Sequence, residues 1–369
     1  MMGKIVYGVC GEGLGHATRV MTSVNQLRLQ HRILIFAARD AYRYLTQHVT
    51  QNESLLIEEI PGLHFRYLFK KISYPRTLLS SIPYLLNMGK QIRQMEHRVK
   101  DFGCDLVISD FEPLTARFAR KIGVPLVSVD HQNFIRCLDF DSLPTGMRWK
   151  SRLTSWFVGL HYHWQDKTVV SSFFNSCFES SNEVQHVGVS VRKDIMRRKP
   201  QLGPNLLVYL RKFPAHRLLK LLSQSQLPAV VYGRHEHRTV GNLEFKPINN
   251  ESFCEDLASC KALICNAGNQ LVGEALSLQK PVLAIPEPGN IEQQLNGYFL
   301  DRMGVGQAVP SHQLSKETLY SFLEQLDHYR ELIRPGSIVG NEQILRSIHP
   351  YLKPEPLRTS LVEATTHTA

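Results

Sequence analysis

Short apolar runs alternate with helical stretches along almost the whole of this chain, and the alternation happens twice. In the first half, strand-like runs fall at 4–10, 32–37, 106–109 and 125–129, with helical periodicity at 16–29, 41–47, 77–100 and 114–122. In the second half the runs fall at 205–210, 229–232, 243–245, 262–265 and 281–285. Helices are expected there at 215–223, 251–260, 270–278, 291–303 and 315–326. Strands joined through helices make parallel, doubly wound sheets. Two such units fit a chain of 369 residues, at about 100–200 residues each. The boundaries read as 1–198 for a first Rossmann-like unit and 199–339 for a second. A helix at 340–357 can return to the first unit, and the polar tail at 358–369 is expected to be disordered. Residues 135–200 read as irregular and end in a basic run that crosses between the units.

Composition narrows the class of protein. No apolar run reaches the roughly 18–20 residues that span a bilayer. The start of the chain goes directly into a strand and lacks the pattern of a signal peptide, so the cytoplasm is the expected compartment. Seven cysteines without paired CxxC spacing indicate neither a disulfide framework nor a zinc site. The net charge of +10 is concentrated: residues 64–100 hold eight Lys or Arg against one acid, Glu96, among many apolar and aromatic side chains. Such a segment suits an anionic membrane surface or an anionic acceptor, or simply a solvated basic helix. No nucleic-acid module is recognisable, so nucleic acid is not an expected partner.

The motifs sit at predicted strand ends, where open α/β sheets bind ligands. Gly11-Glu12-Gly13-Leu14-Gly15-His16 follows the first strand and opens a helix. Gly13 and Gly15 permit a tight turn and close ligand approach, but the spacing lacks the last glycine of the dinucleotide fingerprint. His16 at the helix start suits a general base, because the helix dipole disfavours its protonated form. Asp110 and Glu112 follow the next cleft strand, and Asp130 and His131 the one after. Any of the three acids could orient or assist His16 or bind an acceptor hydroxyl; for Asp110 and Glu112 helix capping is the plainer role. In the second half, Asn266-Ala267-Gly268-Asn269-Gln270 lies between a buried strand and a helix, with Glu274 one turn on. Free backbone N–H groups at that helix start make an anion site. Glu274 could reach ribose hydroxyls, and the loop after the next strand carries Glu292, Gln293 and Gln294 for sugar hydroxyls. Gly233 and the loop 246–250 also follow strand ends on the donor side, and the loop could hold a base through backbone groups.

The block from Asn266 to Gln294 resembles the donor-binding region of GT-B glycosyltransferases. It is similar above all to family 28, whose bacterial member adds N-acetylglucosamine to the undecaprenyl-linked cell-wall precursor, and to family 1 relatives. Gly11–His16, the loop at 129–133 and the segment at 187–192 resemble that family's glycine loop, acceptor-side loop and pre-linker segment, in order. The resemblance implies two Rossmann-like domains facing across a cleft. It implies a diphosphate at Gly268, Asn269 and Gln270, ribose at Glu274 and sugar at Glu292 and Gln293, with Gln294 beside them. His16 would stand near the reaction centre. One departure is that Arg211 and Lys212 stand where family 28 has a glycine–serine phosphate loop. Arg211 there would replace backbone donors with charge.

The expected function is therefore metal-independent, inverting transfer of a sugar from a UDP-sugar to an acceptor hydroxyl. The acceptor would be a saccharide or a lipid-linked molecule in cell-envelope or surface polysaccharide synthesis. The expected location is cytoplasmic, with peripheral attachment to the inner face of the membrane. No cofactor is expected beyond the donor itself. A nucleotide-sugar 2-epimerase shares this architecture and a non-catalytic nucleotide-sugar-binding protein would share the donor site. An NADP oxidoreductase would leave the second block unexplained.

Overall fold

The computed structural model describes residues 2–62, 67–68, 71–72, 74–161, 164–175, 183–210, 215–233 and 237–352. Arg211, the basic positions 66 and 70, and the polar tail lie outside the described residues.

The first half runs β1 (Lys4–Val9), α1 (Leu14–Leu27), β2 (Arg32–Ala38), α2 (Arg39–His48) and β3 (Leu55–Ile60). It continues through β4 (Tyr67–Leu68), β5 (Lys71–Ile72), α3 (Tyr74–Phe102), β6 (Leu106–Asp110), α4 (Pro113–Ile122) and β7 (Leu126–Asp130). Then come α5 (Thr145–His161), β8 (Lys167–Ser171), β9 (Val184–Val187) and α6 (Lys193–Met196). The second half runs β10 (Leu206–Tyr209), α7 (Ala215–Ser225), β11 (Ala229–Tyr232), β12 (Arg238–Val240), β13 (Leu243–Phe245) and α8 (Asn250–Ser259). It continues with β14 (Ala262–Cys265), α9 (Asn269–Ser277), β15 (Val282–Ala284), α10 (Ile291–Met303) and β16 (Gly306–Ala308). Four helices follow: α11 (Lys316–Glu324), α12 (Leu326–Leu332), α13 (Pro335–Ile338) and α14 (Asn341–Ile348).

Among the described residues fourteen of the strands form two seven-stranded sheets, ordered β3-β2-β1-β6-β7-β8-β9 and β12-β13-β11-β10-β14-β15-β16, and β4 pairs antiparallel with β5 apart from them. The first is parallel throughout. The second departs only at its edge, where β12 runs antiparallel to β13. In each sheet the order reverses at one place, between β1 and β6 and between β10 and β14. Those reversals open crevices at the strand C-termini.

The sequence expectation of an irregular stretch at 135–200 is corrected here. It contains the helix α5 and the strands β8 and β9, which extend the first sheet outward. The edge strand β3 was also not read, since Glu58 and Glu59 break its apolar run.

Apolar side chains fill both faces of each sheet. One face of the first sheet packs with α1, α2 and α14 around Ile35, Val20 and Ile344. The other packs with α3 and α4 around Phe36, Met95 and Phe118. The largest cluster belongs to both halves and joins Phe134, Phe174 and Val189 to Val272, Leu295 and Phe299. Phe174 and Phe299 stack across the halves with centroids 4.2 Å apart. The outgoing and returning chains also pair: Val189 N–H donates to Ile338 O and Gly340 N–H to Val189 O. Gly188 and Gly340 make that approach feasible, since a Cβ on Gly340 would lie 2.0 Å from Gly188 O. Among the described residues no helix is long and apolar enough to cross a membrane.

Candidate active site

The first sheet's crevice holds a chain of charged side chains. Gly13, at φ 84°, turns the backbone out of β1 and into α1. His16 then lies in the first turn of α1, and Asp110 ends β6. These are the two strands flanking the order reversal. His16 Nδ1 is 2.8 Å from Asp110 Oδ1, and Asp110 has no solvent exposure. Arg19, one turn after His16, grips the same carboxylate: Nε donates to Oδ2 at 2.9 Å and Nη2 to Oδ1 at 2.5 Å. The 3.1 Å between Arg19 Nη2 and His16 Nδ1 follows from two donors converging on one oxygen. Nδ1 therefore carries the proton, and Nε2 is left as the basic atom. Burial works against ionised Asp110, but Arg19 and His16 outweigh it and hold the carboxyl below its ordinary pKa.

Glu112 does not join this chain. Its two carboxylate oxygens cap α4, accepting from Leu114 N–H at 3.0 Å, Thr115 N–H at 2.6 Å and the Thr115 hydroxyl at 2.8 Å. Of the two roles the sequence allows for Glu112, catalytic group or helix cap, the structure shows the cap. Asp130 is likewise engaged locally. It accepts from Ser128 Oγ and from both the backbone and side-chain nitrogens of Asn133, closing the 3₁₀ turn that follows β7. His131 is buried and stacks on Phe134. Its Nε2 lies 2.9 Å from Asn296 Oδ1 on α10, and the Asn296 amide donates to Ala267 O. Asn296 therefore accepts, and His131 is a tie between the halves rather than a side chain open to an acceptor.

The residue that does reach the cleft is the next one, Gln132. Its amide nitrogen is 3.5 Å from His16 Nε2 and 3.3 Å from Glu292 Oε2 across the cleft. Its Oε1 is buried and has no partner. Glu292 stands in the first turn of α10, which Asn290 caps through Gln293 N–H. Burial raises the Glu292 pKa, with His16 and the Gln132 bond working against it. Gln293 turns back on its own loop, accepting from Glu287 N–H at 2.8 Å. Gln294 is half-buried in the same turn.

The second sheet's crevice is built from amides. Asn266 donates to Ile285 O at 3.0 Å and so fixes the end of β14 against the next strand. Ala267 takes φ 60°, an uncommon conformation for a non-glycine residue, and Gly268 starts α9. A Cβ on Gly268 would meet nothing within 4 Å, so the helix N-terminus opens on free space. Phe111, just after Asp110, has the same left-handed backbone at φ 53°. The glycine loop of the first half faces this helix: the atom nearest a Cβ on Gly15 would be Gln270 Cβ, at 3.9 Å. The N-termini of α1 and α9 therefore converge on one region.

Asn269, Gln270 and Glu274 are drawn into the joint between halves. Asn269 accepts from Phe173 N–H and donates to Ser171 O. Gln270 donates to Ser190 O and Glu274 Oε1, while its own Oε1 is buried without a partner. Glu274 is clamped by Arg192, with Nε–Oε1 at 2.8 Å and Nη2–Oε2 at 2.6 Å. Glu274 thus already holds a cation, and Oε2 is its less committed oxygen. Gly233, at φ 98°, closes β11 against Leu210 O, which a Cβ would approach to 2.8 Å. Among the described residues no three His, Cys, Asp or Glu side chains gather as metal ligands.

Two facing doubly wound units, with a buried histidine–carboxylate pair at one crevice and an open helix N-terminus at the other, define the GT-B class of fold. The profile of glycosyl transferase family 1 matches residues 3–327. An uncharacterized glycosyltransferase of Methanosarcina mazei is 22% identical over 361 residues, covering 90% of this chain and 92% of the relative. Among solved structures, Acinetobacter baumannii MurG has a TM-score of 0.60 at 16% identity, over 94% of this chain and 99% of the other. LpCGTa in complex with UDP has a TM-score of 0.65 at 13% identity, over 96% and 100%. The chain belongs to glycosyl transferase family 1, and it is a glycosyltransferase of GT-B type.

Three residues of this site were not singled out from sequence. Gln132 was passed over in favour of Asp130 and His131 just before it. Arg19 has a readable signal, a cation one helical turn from His16 on the same face. Arg192 was read only as part of the crossing.

Proposed function

We propose that this glycosyltransferase moves a sugar from a UDP-sugar to an acceptor hydroxyl in one displacement, with inversion at the anomeric carbon. The observation that carries the reading is the His16–Asp110–Arg19 chain, whose unprotonated Nε2 faces the Gln132 amide, itself bonded to Glu292, beside the converging ends of α1 and α9. His16 Nε2 takes the acceptor proton while the acceptor oxygen forms its bond to the anomeric carbon. The bond from that carbon to the phosphate oxygen breaks, and UDP leaves with the electron pair. Asp110 holds the ring and stabilises the charge it gains. A base so placed commonly contributes about 10²–10⁴-fold.

In this reading the leaving diphosphate is stabilised by the N–H groups at the start of α9, with no metal required. Glu274 Oε2 takes a ribose hydroxyl while keeping Arg192. Glu292, with Gln293 and Gln294 behind it, reads the sugar hydroxyls. UDP is supported by the likeness to LpCGTa, whose solved structure holds UDP. UDP-N-acetylglucosamine as donor and a saccharide or lipid-linked acceptor of the cell envelope are supported by the resemblance of the Asn266–Gln294 block to family 28. The test is incubation with UDP-N-acetylglucosamine and an acceptor panel, reading UDP release and the product anomer by NMR. Inverted product with wild type, and none with His16→Ala, is expected. Retained configuration, or turnover that survives His16→Ala, would overturn the reading.

A further inference from the structure

The Gln132 side chain lies across the cleft, between the base of one half and a carboxylate of the other. Its amide nitrogen is 3.5 Å from His16 Nε2 and 3.3 Å from Glu292 Oε2. Its neighbours fix which way round the amide sits. Reversed, it would set its oxygen against the imidazole lone pair and a carboxylate. As it stands, Oε1 is buried and has no partner among the described residues. The backbone beneath is held firmly. Gln132 opens the 3₁₀ turn Gln132–Cys137 between the buried His131 and Asn133. Asp130 accepts from Asn133 N–H, and the His131 carbonyl accepts from Phe134 N–H. What can move is the side chain, a long unbranched arm on a fixed stem.

A neutral imidazole accepts at only one of its nitrogens, the one without the proton. Nε2 therefore cannot accept from Gln132 and take the proton of a substrate hydroxyl at the same time. A hydroxyl that loses its proton to Nε2 has to lie roughly 2.6–3.2 Å from it. The Gln132 nitrogen covers that seat. Both of its bonds are longer than the usual N–H bond of about 2.9–3.0 Å, and the unpartnered Oε1 leaves the amide under-satisfied. The side chain is thus seated over the base, but weakly enough to be displaced.

We propose that Gln132 is a gate that covers the base until an acceptor docks, and so keeps water from serving as the acceptor. Water in the same seat would undergo the same displacement. Its oxygen would bond to the anomeric carbon and its proton would pass to His16 Nε2. The bond from that carbon to the phosphate oxygen would break, UDP would leave with the electron pair, and the product would be free sugar. One water replaces only one of the two bonds that Gln132 gives up on leaving. An acceptor held along the first half can use the binding energy of its remote parts to move the amide aside. Gln132 is then a specificity residue that sets transfer against hydrolysis by acting on His16. The inference rests on the reading that a UDP-sugar is the donor and His16 the base.

The test is UDP release from UDP-N-acetylglucosamine without acceptor, measured beside transfer to the acceptor panel. Wild type should transfer readily and hydrolyse slowly. Gln132→Ala should raise acceptor-free UDP release by about tenfold or more. Gln132→Asn, which keeps the amide but stops one methylene short of the seat, should raise it as well. Adding His16→Ala to Gln132→Ala should return the rate to that of His16→Ala alone, because the extra hydrolysis runs through the uncovered base. A second measurement needs no donor: the nitrogen NMR resonance of His16 Nε2 in the ligand-free protein should move on Gln132→Ala. Circular dichroism checks that the variants fold. Transfer by wild type with variants that hydrolyse no faster would overturn the gate and leave the proposed function standing. Extra hydrolysis that survives His16→Ala, or an unmoved Nε2 resonance, would also overturn the gate. UDP release by neither wild type nor variants, with or without acceptors, would overturn the UDP-sugar reading, and the gate would fall with it.

Discussion

The two crevices occupy the same place in the same fold, yet they are built from different chemistry. At the ends of β1 and β6 the first half buries charge: His16, Asp110 and Arg19 form one hydrogen-bonded unit with almost no solvent. At the end of β14 the second half offers backbone N–H groups and side-chain amides around an open glycine. A buried ionic unit suits holding a ring in one tautomer and moving a proton. Neutral dipoles at a helix N-terminus suit receiving an anion that must later depart. Equivalent topology thus fixes where a ligand sits, and the local side chains decide what is done there.

This contrast can be broken experimentally, starting where the effect is largest. His16→Ala or Asp110→Asn should lower kcat by about 10²–10⁴-fold while UDP affinity stays unchanged; steady-state kinetics beside calorimetry separate the two. Removing Arg19 by Arg19→Ala leaves Asp110 buried without its cation, so urea unfolding should show a loss of about 3–5 kcal/mol. Arg192→Ala should cost less than Arg19→Ala in the same assay, because Arg192 is more exposed than Arg19.

A smaller effect concerns acid. Burial pushes the His131 pKa from 6.5 down to about 3. Above pH 6.5 neither the native nor the unfolded chain is protonated there, so stability is unaffected. Below it the unfolded chain takes up a proton that the native protein refuses until about pH 3, and native stability falls over that window. The slope from this group is at most about 1.4 kcal/mol per pH unit. His131→Leu should lower stability at neutral pH by losing the Asn296 bond, and should flatten the decline between pH 6 and pH 4, to be read from urea midpoints (an interval of roughly two units). The smallest expected effect is that of Gly268→Ala. The added methyl meets no protein atom, so thermal stability should hold, but it enters the space before the α9 amides and should weaken UDP about tenfold.

Much of this fold was legible in the sequence because parallel strands buried on both faces stand out as short apolar runs. Helix α5 was not, since a solvent-facing Trp149–Leu153–Trp156 stripe hides which face is inside. Strands β8 and β9 are short and lie among polar residues. At the site, Asp110 and His16 were legible as groups at strand ends. The sequence could not tell which member of Asp130-His131-Gln132-Asn133 turns to the cleft. The 3₁₀ turn decides it, folding Asp130 back as a cap and leaving Gln132 facing His16. The capping role of Glu112 was readable from the proline and threonine after it. The clamp on Glu274 was not, because Arg192 lies 82 residues away in sequence.

The division of labour between the crevices is tested most directly by titrating UDP into wild type, His16→Ala and Gly268→Ala by calorimetry. Wild type and His16→Ala should bind with the same Kd, and Gly268→Ala more weakly. Absence of UDP binding, or a loss in His16→Ala as large as that in Gly268→Ala, would contradict a donor held by the second half and a proton moved by the first.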